Sequence, residues 1–302
     1  MSAMATVAPD ARTEVFESHR QGLFGIAYRM LGNAAEAEDV VQDAWLRFER
    51  AGADADAPRA FLSTIVSRLC LDRLRSARHR RETYPGTWLP EPIVEPIDSA
   101  PVPDDLVGGR ELISYATMIL LETLAPSERA VFVLSEAFSY SHREIAATIG
   151  VSEPSSRQLL HRARQRLHER ERRYTTTMAE RRRLTEAFLR AASAGDLDSL
   201  KDLLAEDIVV TSDGGGKAIA AINPVYGRDR VYRFILGTMG KEPPERVALA
   251  LVNGEPGIVT WYRGKVQLVG SFEWRDGRLQ EFHIMRNPDK FTHISPLLVG
   301  RP

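Results

Sequence analysis

The sequence predicts a multidomain chain in which two all-α helical domains are followed by an α+β domain. Three observations support this. Residues 13–83 place apolar side chains at helical spacing in three successive runs. Residues 141–173 spell a helix, a tight turn and a second helix, with eight arginines against four acids from His142 to Arg173. After Tyr174 two further helical runs give way to short alternating segments divided by turn residues, and helices followed by antiparallel strands mark an α+β domain.

Composition narrows the class. At 302 residues, 43% hydrophobic and 27% charged, the chain has room for two or three folded domains. No run reaches the length of a membrane span, and Met1 to Arg12 lack the apolar core of a signal peptide, so a cytoplasmic protein is expected. Cys70, the single cysteine, lies between Leu69 and Leu71. It predicts a small buried side chain, with no intrachain disulfide and no thiolate zinc site; no metal or cofactor is expected.

Phe16, Leu23, Phe24, Ala27, Tyr28 and Leu31 form the stripe of a first helix, which Gly32 stops. Asn33 with Glu36 caps a second, in which Ala37, Val40, Val41, Ala44, Trp45 and Phe48 face inward. Asp39, Gln42 and Asp43 share another face of it, a pattern that suits a basic protein partner. Phe61, Leu62, Ile65, Val66 and Leu69 bury a third helix, whose end turns basic, with six arginines against two acids from Arg68 to Glu82.

Further on, Ser141 and Glu144 make a capping box, Gly150 supplies the turn, and Ser152 caps a second helix with Pro154 in its first turn. Leu160, Ala163 and Leu167 face the first helix, with Ser156 on the same stripe, while Arg157, Gln158, His161, Arg162, Arg164, Arg166 and Arg170 occupy the other faces. The local surplus of four positive charges, on a chain of net charge −1, is a footprint for phosphates, and the start of the second helix is where side chains reach base edges.

The runs DVVQDAWLRF and FLSTIVSRLCLDRLRSARHRRE and the helix-turn-helix ending QLLHRARQRL, in that order, resemble the two conserved domains of an extracytoplasmic-function RNA polymerase sigma factor over roughly the first 173 residues. The resemblance implies that region 2 docks on the clamp of the polymerase β-prime subunit and opens the −10 element, and that region 4 meets the β flap and reads the −35 element of promoter DNA. By position it puts Asp39, Gln42 and Asp43 on the polymerase-binding helix. It assigns Asp54, Arg59, Arg68, Arg73, Arg75 and Arg78 to the −10 region, the loop from Asp54 to Arg59 holding a flipped base. Ser155, Arg157, Gln158, His161, Arg162, Arg164 and Arg166 fall to the −35 element. Ser156 departs from the pattern, because a small apolar residue fits the stripe better; its hydroxyl is expected to loosen the packing or bond back to the turn.

Six prolines between Tyr84 and Arg110 predict an extended linker, and Trp88 and Leu89 within it predict docking on a neighbouring domain. The last third reads as a helix from Met178 to Ala194, then another with Leu197, Leu200, Leu203 and Leu204 at helical spacing. Strands follow over Ile208–Thr211, Val247–Val252, Gly257–Arg263, Lys265–Trp274 and Leu279–Met285. The expected divisions are a flexible 1–12, region 2 at 13–83, the linker 84–110, region 4 at 111–173, the α+β domain 174–290 and a tail 291–302.

This last part resembles the SnoaL-like, ketosteroid-isomerase-like superfamily, a curved sheet wrapped round helices into a cone. WLPEP (Trp88, Leu89, Pro90, Glu91, Pro92), the run from Ser212 through Asp213, Gly214, Gly215 and Gly216 to Lys217, and NPDK (Asn287, Pro288, Asp289, Lys290) resemble the sigma-factor subgroup that carries such a fused domain. The resemblance implies regulation in cis, with no separate anti-sigma factor required, and a small-molecule ligand in the cone. On the residues alone, Asp213 and Lys217 bracketing three glycines predict a close interdomain contact or a simple turn, not a phosphate loop.

An isomerase of this fold needs a pocket carboxylate and an oxyanion donor. Asp213, Asp289, His283, Tyr226 and Tyr262 are candidates, but no spacing singles one out, and a non-catalytic domain is expected. The competing readings are a ligand-responsive repressor and an isomerase or cyclase with an attached DNA-binding module.

Overall fold

The computed structural model describes residues 11–51, 58–99, 113–168 and 176–299. Helix α1 (Ala11–Leu31) ends at Gly32. Helix α2 (Ala34–Ala51) starts on Asn33, whose Oδ1 accepts the Glu36 amide at 2.7 Å. Helix α3 (Pro58–Glu82) opens on a proline, where a missing N–H costs nothing. Helices α4 (Tyr115–Leu121) and α5 (Pro126–Phe132) follow, the latter running into a π turn at Val133–Ala137, and then α6 (His142–Ile149) and α7 (Glu153–His168).

The Ser141–Glu144 capping box forms, Gly150 is left-handed, and Ser152 Oγ accepts the Ser155 amide at 3.2 Å. The Ser156 hydroxyl does not bond back to the turn. Ser156 is fully buried, with Oγ 2.9 Å from His142 Nδ1, so its hydroxyl is satisfied across the two helices.

The helices of regions 2 and 4 do not stand apart on a tether. Val66, Leu69 and Cys70 of α3 belong to the same buried cluster as Met118, Ala130, Leu134, Ile145 and Leu160, and α3 packs on α5 and α6. The apolar stripe of α3 is wider than α1 and α2 cover, and burying the remainder against region 4 removes it from water.

Beyond them lie α8 (Met178–Ala194), α9 (Leu197–Leu203), α10 (Arg228–Lys241) and strands β2 (Leu204–Asp213), β3 (Val225–Tyr226), β4 (Arg246–Val252), β5 (Glu255–Tyr262), β6 (Lys265–Arg275) and β7 (Arg278–Met285). With β1 (Val94–Pro96) from the linker, the sheet has the order β1-β4-β5-β6-β7-β2-β3, all neighbours antiparallel except β2 with β7. Three features differ from expectation. Leu204 opens β2 and does not extend α9, because Ala205, Ile208 and Val210 find cover in the sheet. Helix α10 escaped the sequence reading because Gly237 and Gly240 dilute its helical signal. The linker also contributes β1 (Val94–Pro96), pairing Val94 with Val252 at the edge of β4.

The two faces of the sheet have different tasks. One wraps α8 and α10, and Phe188, Phe272, Trp274 and Phe282 fill the cone, with Phe272 and Phe282 stacked at 4.6 Å. The other face presents Val259, Trp261, Val269 and Met285 to Leu89 and Val94 of the linker, Tyr115 of α4, and Ile294 and Leu298 of the last segment. That segment includes the short helix α11 (Pro296–Val299), so residues 291–299 pack against the sheet and do not form a free tail. Among the described residues no helix is long and apolar enough to cross a membrane.

Candidate functional site

On α7, Gln158 and His161 lie on the exposed face and Ser155 is half-buried. Arg157 pairs with Glu153 at 2.6 Å and Arg164 with Glu136 at 2.6 Å. Arg166 reaches Glu128 at 2.6 Å and Arg162 approaches it at 3.9 Å; Glu128 is buried, and its carboxylate also accepts the Ala125 amide. The start of the helix therefore keeps its polar face towards solvent, whereas Arg162 and Arg166 also brace α5.

Four arginines assigned to the −10 region, Arg59, Arg68, Arg73 and Arg75, are engaged within the chain. Arg59 donates to Phe138 O at 3.3 Å and lies over the Tyr140 ring. Arg68 Nε donates to Thr148 O at 3.0 Å and Nη2 to Ala147 O at 3.3 Å, placing a cation on the C-terminal carbonyls of α6, where the helix dipole favours it. Arg73 binds Glu36 O at 2.9 Å and Asp43 at 3.1 Å, with Asp39 at 3.9 Å; Gln42 beside them is exposed. The acids expected to face polymerase thus share an arginine expected to follow DNA. Arg75 pairs with Asp72 at 3.5 Å. Asp54 lies outside the described residues, as does the side chain of Arg78.

The three short motifs meet at one buried node. Asp213, fully buried, accepts from Tyr84 Oη at 2.5 Å, from the Leu89 amide at 2.9 Å and from Lys290 Nζ at 2.7 Å. Lys290 also donates to Leu89 O at 2.5 Å and sits 3.2 Å from the centre of the Trp88 ring, a cation–π contact. Gly215 is left-handed, and a Cβ there would lie 2.3 Å from Asn287 Nδ2, so both conformation and space demand glycine. A Cβ at Gly214 would meet Ala218 O, and one at Gly216 would meet Pro85. Lys217 pairs with Asp289 at 2.5 Å. Asn287 Oδ1 caps the exposed turn begun by Pro288.

Two residues further on, the linker turns to region 2. Pro90, Glu91 and Pro92 are buried, and Pro90 O accepts from Tyr115 Oη at 2.7 Å. Glu91 takes the Ala34 amide at 2.9 Å and the Ala35 amide at 3.4 Å, a carboxylate on the N-terminus of α2, and also holds Thr292 and His293. Burial pushes Glu91 up, but the bonds from His293, Thr292 and Ala35 outweigh it and hold the carboxyl below its ordinary value. The bond to Glu91 raises His293 against the opposing effect of burial.

Residues the sequence reading missed complete the node. Asn253, at the Asn-Gly turn of the β4–β5 hairpin, accepts from the Ile93 amide at 3.0 Å and donates to Tyr28 Oη at 2.8 Å, and Tyr28 donates to Glu91 O at 2.7 Å. The Asn-Gly pair was a legible hairpin signal; its reach into the linker was not. Tyr84, Tyr115, Thr292 and His293 left no local signature.

Of the five candidate catalytic residues, Asp213 is spent on the linker, Asp289 on Lys217, and His283 on Thr211 at 2.7 Å. Tyr226 is exposed on β3 and Tyr262 lies beside Arg263. None lines the cavity of about 280 Å³ that opens between α10 and residues 219–221.

A different carboxyl is perturbed. Burial, with Glu255 and Glu281 beside it, pushes Glu273 up to about 8. A raised folded value means that the neutral acid stabilises the fold below its unfolded value near 4.5, and that this contribution is lost as pH rises through about 8. Denaturant unfolding at pH 6 and pH 8.5 is expected to show a smaller loss of stability for Glu273→Gln than for the parent chain.

Residues 15–80 match Sigma-70 region 2, and residues 118–167 match Sigma-70, region 4. The chain is 42% identical over 300 residues to the ECF RNA polymerase sigma factor SigJ of Mycobacterium tuberculosis, covering 93% of each. It is 33% identical over 295 residues to the probable ECF RNA polymerase sigma factor SigI of the same organism, covering 96% of this chain and 98% of that one. The crystal structure of SigJ matches with a TM-score of 0.77 and 39% identity over 94% of this chain and 99% of that one, so the fold, two helical sigma regions followed by an α+β domain, extends along nearly the whole length. With both sigma regions in order and such similarity from end to end, the chain belongs to the extracytoplasmic-function RNA polymerase sigma factors, which direct core polymerase to promoter DNA.

Proposed function

We propose that the SnoaL-like domain regulates this sigma factor in cis, without catalysis and without a separate anti-sigma factor, by controlling where the linker holds regions 2 and 4. The observation that carries the reading is the run Leu89-Pro90-Glu91. Leu89 is held by Asp213 and Lys290 of the α+β domain, Pro90 by Tyr115 of region 4 and Glu91 by the N-terminus of α2 in region 2. Three consecutive residues join three parts of the protein.

In this arrangement Arg59, Arg68 and Arg73 are occupied internally. Promoter engagement then requires a second arrangement, in which α3 leaves α6, Arg73 leaves Glu36 O and Asp43, and these arginines, with Arg75, Arg78 and Asp54, meet the −10 region. Asp39, Gln42 and Asp43 face the β-prime clamp, region 4 meets the β flap, and Ser155, Arg157, Gln158, His161, Arg162, Arg164 and Arg166 face the −35 element. Trp88 to Pro92, Asp213 to Lys217 and Asn287 to Lys290 set the balance between the two arrangements, and a small ligand in the cone biases it.

In vitro transcription with core polymerase tests this. Trp88→Ala, and separately the replacement of Gly214, Gly215 and Gly216 by alanine, are expected to change promoter-dependent output severalfold. Unchanged output from both would remove regulation in cis. Asp39→Ala with Asp43→Ala should abolish co-purification with core polymerase; retained co-purification would move the docking surface elsewhere.

A further inference from the structure

The aromatic filling of the cone leaves a cavity at its mouth, of about 280 Å³, between α10 and the segment after the glycine run. Its apolar surface comes from Ile219, Ala220, Ala221, Phe234, Leu268 and Ile284. Its charged residues are all cations, Arg233, Lys241 and Arg286, with no acid among the lining side chains. Arg286 is spent, with Nη2 on Glu242 at 2.6 Å and Nη1 on Ile219 O at 2.8 Å. Ser212 Oγ is spent on Ala221 and Thr238 Oγ1 on the backbone of α10. Arg233, whose Nε donates to Asp229 O at 3.1 Å, and Lys241, both exposed, stand at the rim.

Gly237 lines the cavity in the middle of α10, and a Cβ there would meet nothing within 4 Å. A glycine inside a helix is unfavourable relative to alanine. Here the backbone geometry does not require it, and a larger side chain at this exposed position would project across the opening of the cavity.

The far wall of the cavity belongs to the loop that contacts the linker. Residues 219–221 face the cavity. On either side of them, a Cβ at Gly216 would lie 2.9 Å from Pro85, and one at Gly86 would lie 3.4 Å from the Ile222 backbone. Whatever seats against Ile219 to Ala221 therefore presses on a loop whose opposite face touches residues 85–86.

We propose that this cavity binds an amphipathic anion, a carboxylate on an apolar body, with the body beside Gly237, Leu268 and Ile284 and the carboxylate at Lys241, in the positive field that Arg233 adds to the rim, and that the linker senses it through residues 214–222. This names the ligand class for the regulated cone proposed above. A volume just under the range of about 300–1,000 Å³ usual for ligand sites suits a compact or narrow molecule.

The test uses the purified full chain without polymerase, so its outcome is separate from whether the domain regulates transcription. Decanoate is titrated calorimetrically beside decanol. Saturable decanoate binding is expected, at least tenfold tighter than decanol. Gly237→Leu obstructs the opening of the cavity while improving helix propensity, and should weaken decanoate tenfold or more with the circular dichroism spectrum unchanged. Arg233→Gln with Lys241→Gln, both surface changes, should weaken decanoate and leave decanol unaffected. Hydrogen exchange should slow at residues 84–89 as well as 214–222 when decanoate binds. No saturable binding, equal affinity for decanol, or undiminished binding to Gly237→Leu would overturn the site; binding with no change at 84–89 would overturn its link to the linker.

Discussion

Replacing Asp213 by asparagine should lower the stability of the chain by about 3–5 kcal/mol, because it removes the charge that compensates a buried ammonium. Asp213 and Lys290 have side chains 0% and 3% exposed, so Lys290 would keep Leu89 O and the rings of Trp88 and Tyr84 but lose its carboxylate. For a chain of this size that is a fall in Tm of about 10 °C, or loss of a single cooperative transition if the linker detaches first. Asp213→Leu with Lys290→Met should cost less than Asp213→Asn alone, since replacing a buried pair by apolar groups of similar volume is often neutral. A thermal melt of the three proteins decides it. A single variant as stable as the parent would mean that the ion pair does not hold the linker down.

The second large effect is expected at Arg129, whose side chain is 2% exposed. Its Nε donates to Arg29 O of α1 at 2.8 Å and its Nη1 to Glu122 at 2.8 Å, so one guanidinium joins region 2 to region 4. Gly32 records how tight this junction is: it is left-handed at φ 67°, and a Cβ on it would lie 2.3 Å from Glu122 Oε1. Arg129→Met leaves Glu122, 11% exposed, without that cation and should cost about 3–5 kcal/mol. The loss should be shared between regions, with faster hydrogen exchange in α1 as well as α5. In a double-mutant cycle, Glu122→Gln should add much less to Arg129→Met than it costs alone. Additive losses would show that the two side chains act independently.

Local chemistry made much of this molecule legible. The helical stripes of α1 to α3, the capping box at Ser141, the turn at Gly150 and the polar face of α7 are written in residues within a few positions of one another. The strands β4 to β7 were legible for the same reason, through alternation and turn residues. Where the local signal was mixed, as in α10 with its two glycines or at Leu204 between helix and strand, the reading slipped. Trp88 and Leu89 pointed to docking because apolar side chains in a proline-rich stretch need cover, but nothing beside them named the cover.

Sequence spacing alone specified the two helical regions and the α+β class, since capping, periodicity and turns act over neighbouring residues. Only the folded arrangement revealed that regions 2 and 4 share one core, that Val94 to Pro96 become a strand of the distant sheet, and that Arg68 and Arg73 bind this chain's own carbonyls and acids. The reason is physical: burial and ion pairing depend on which surfaces meet across more than a hundred residues of chain, as Asp213 meets Leu89 and Asn253 meets Tyr28. A cation drawn as a DNA ligand and a cation closing an internal contact look identical until the neighbouring carbonyl is in place.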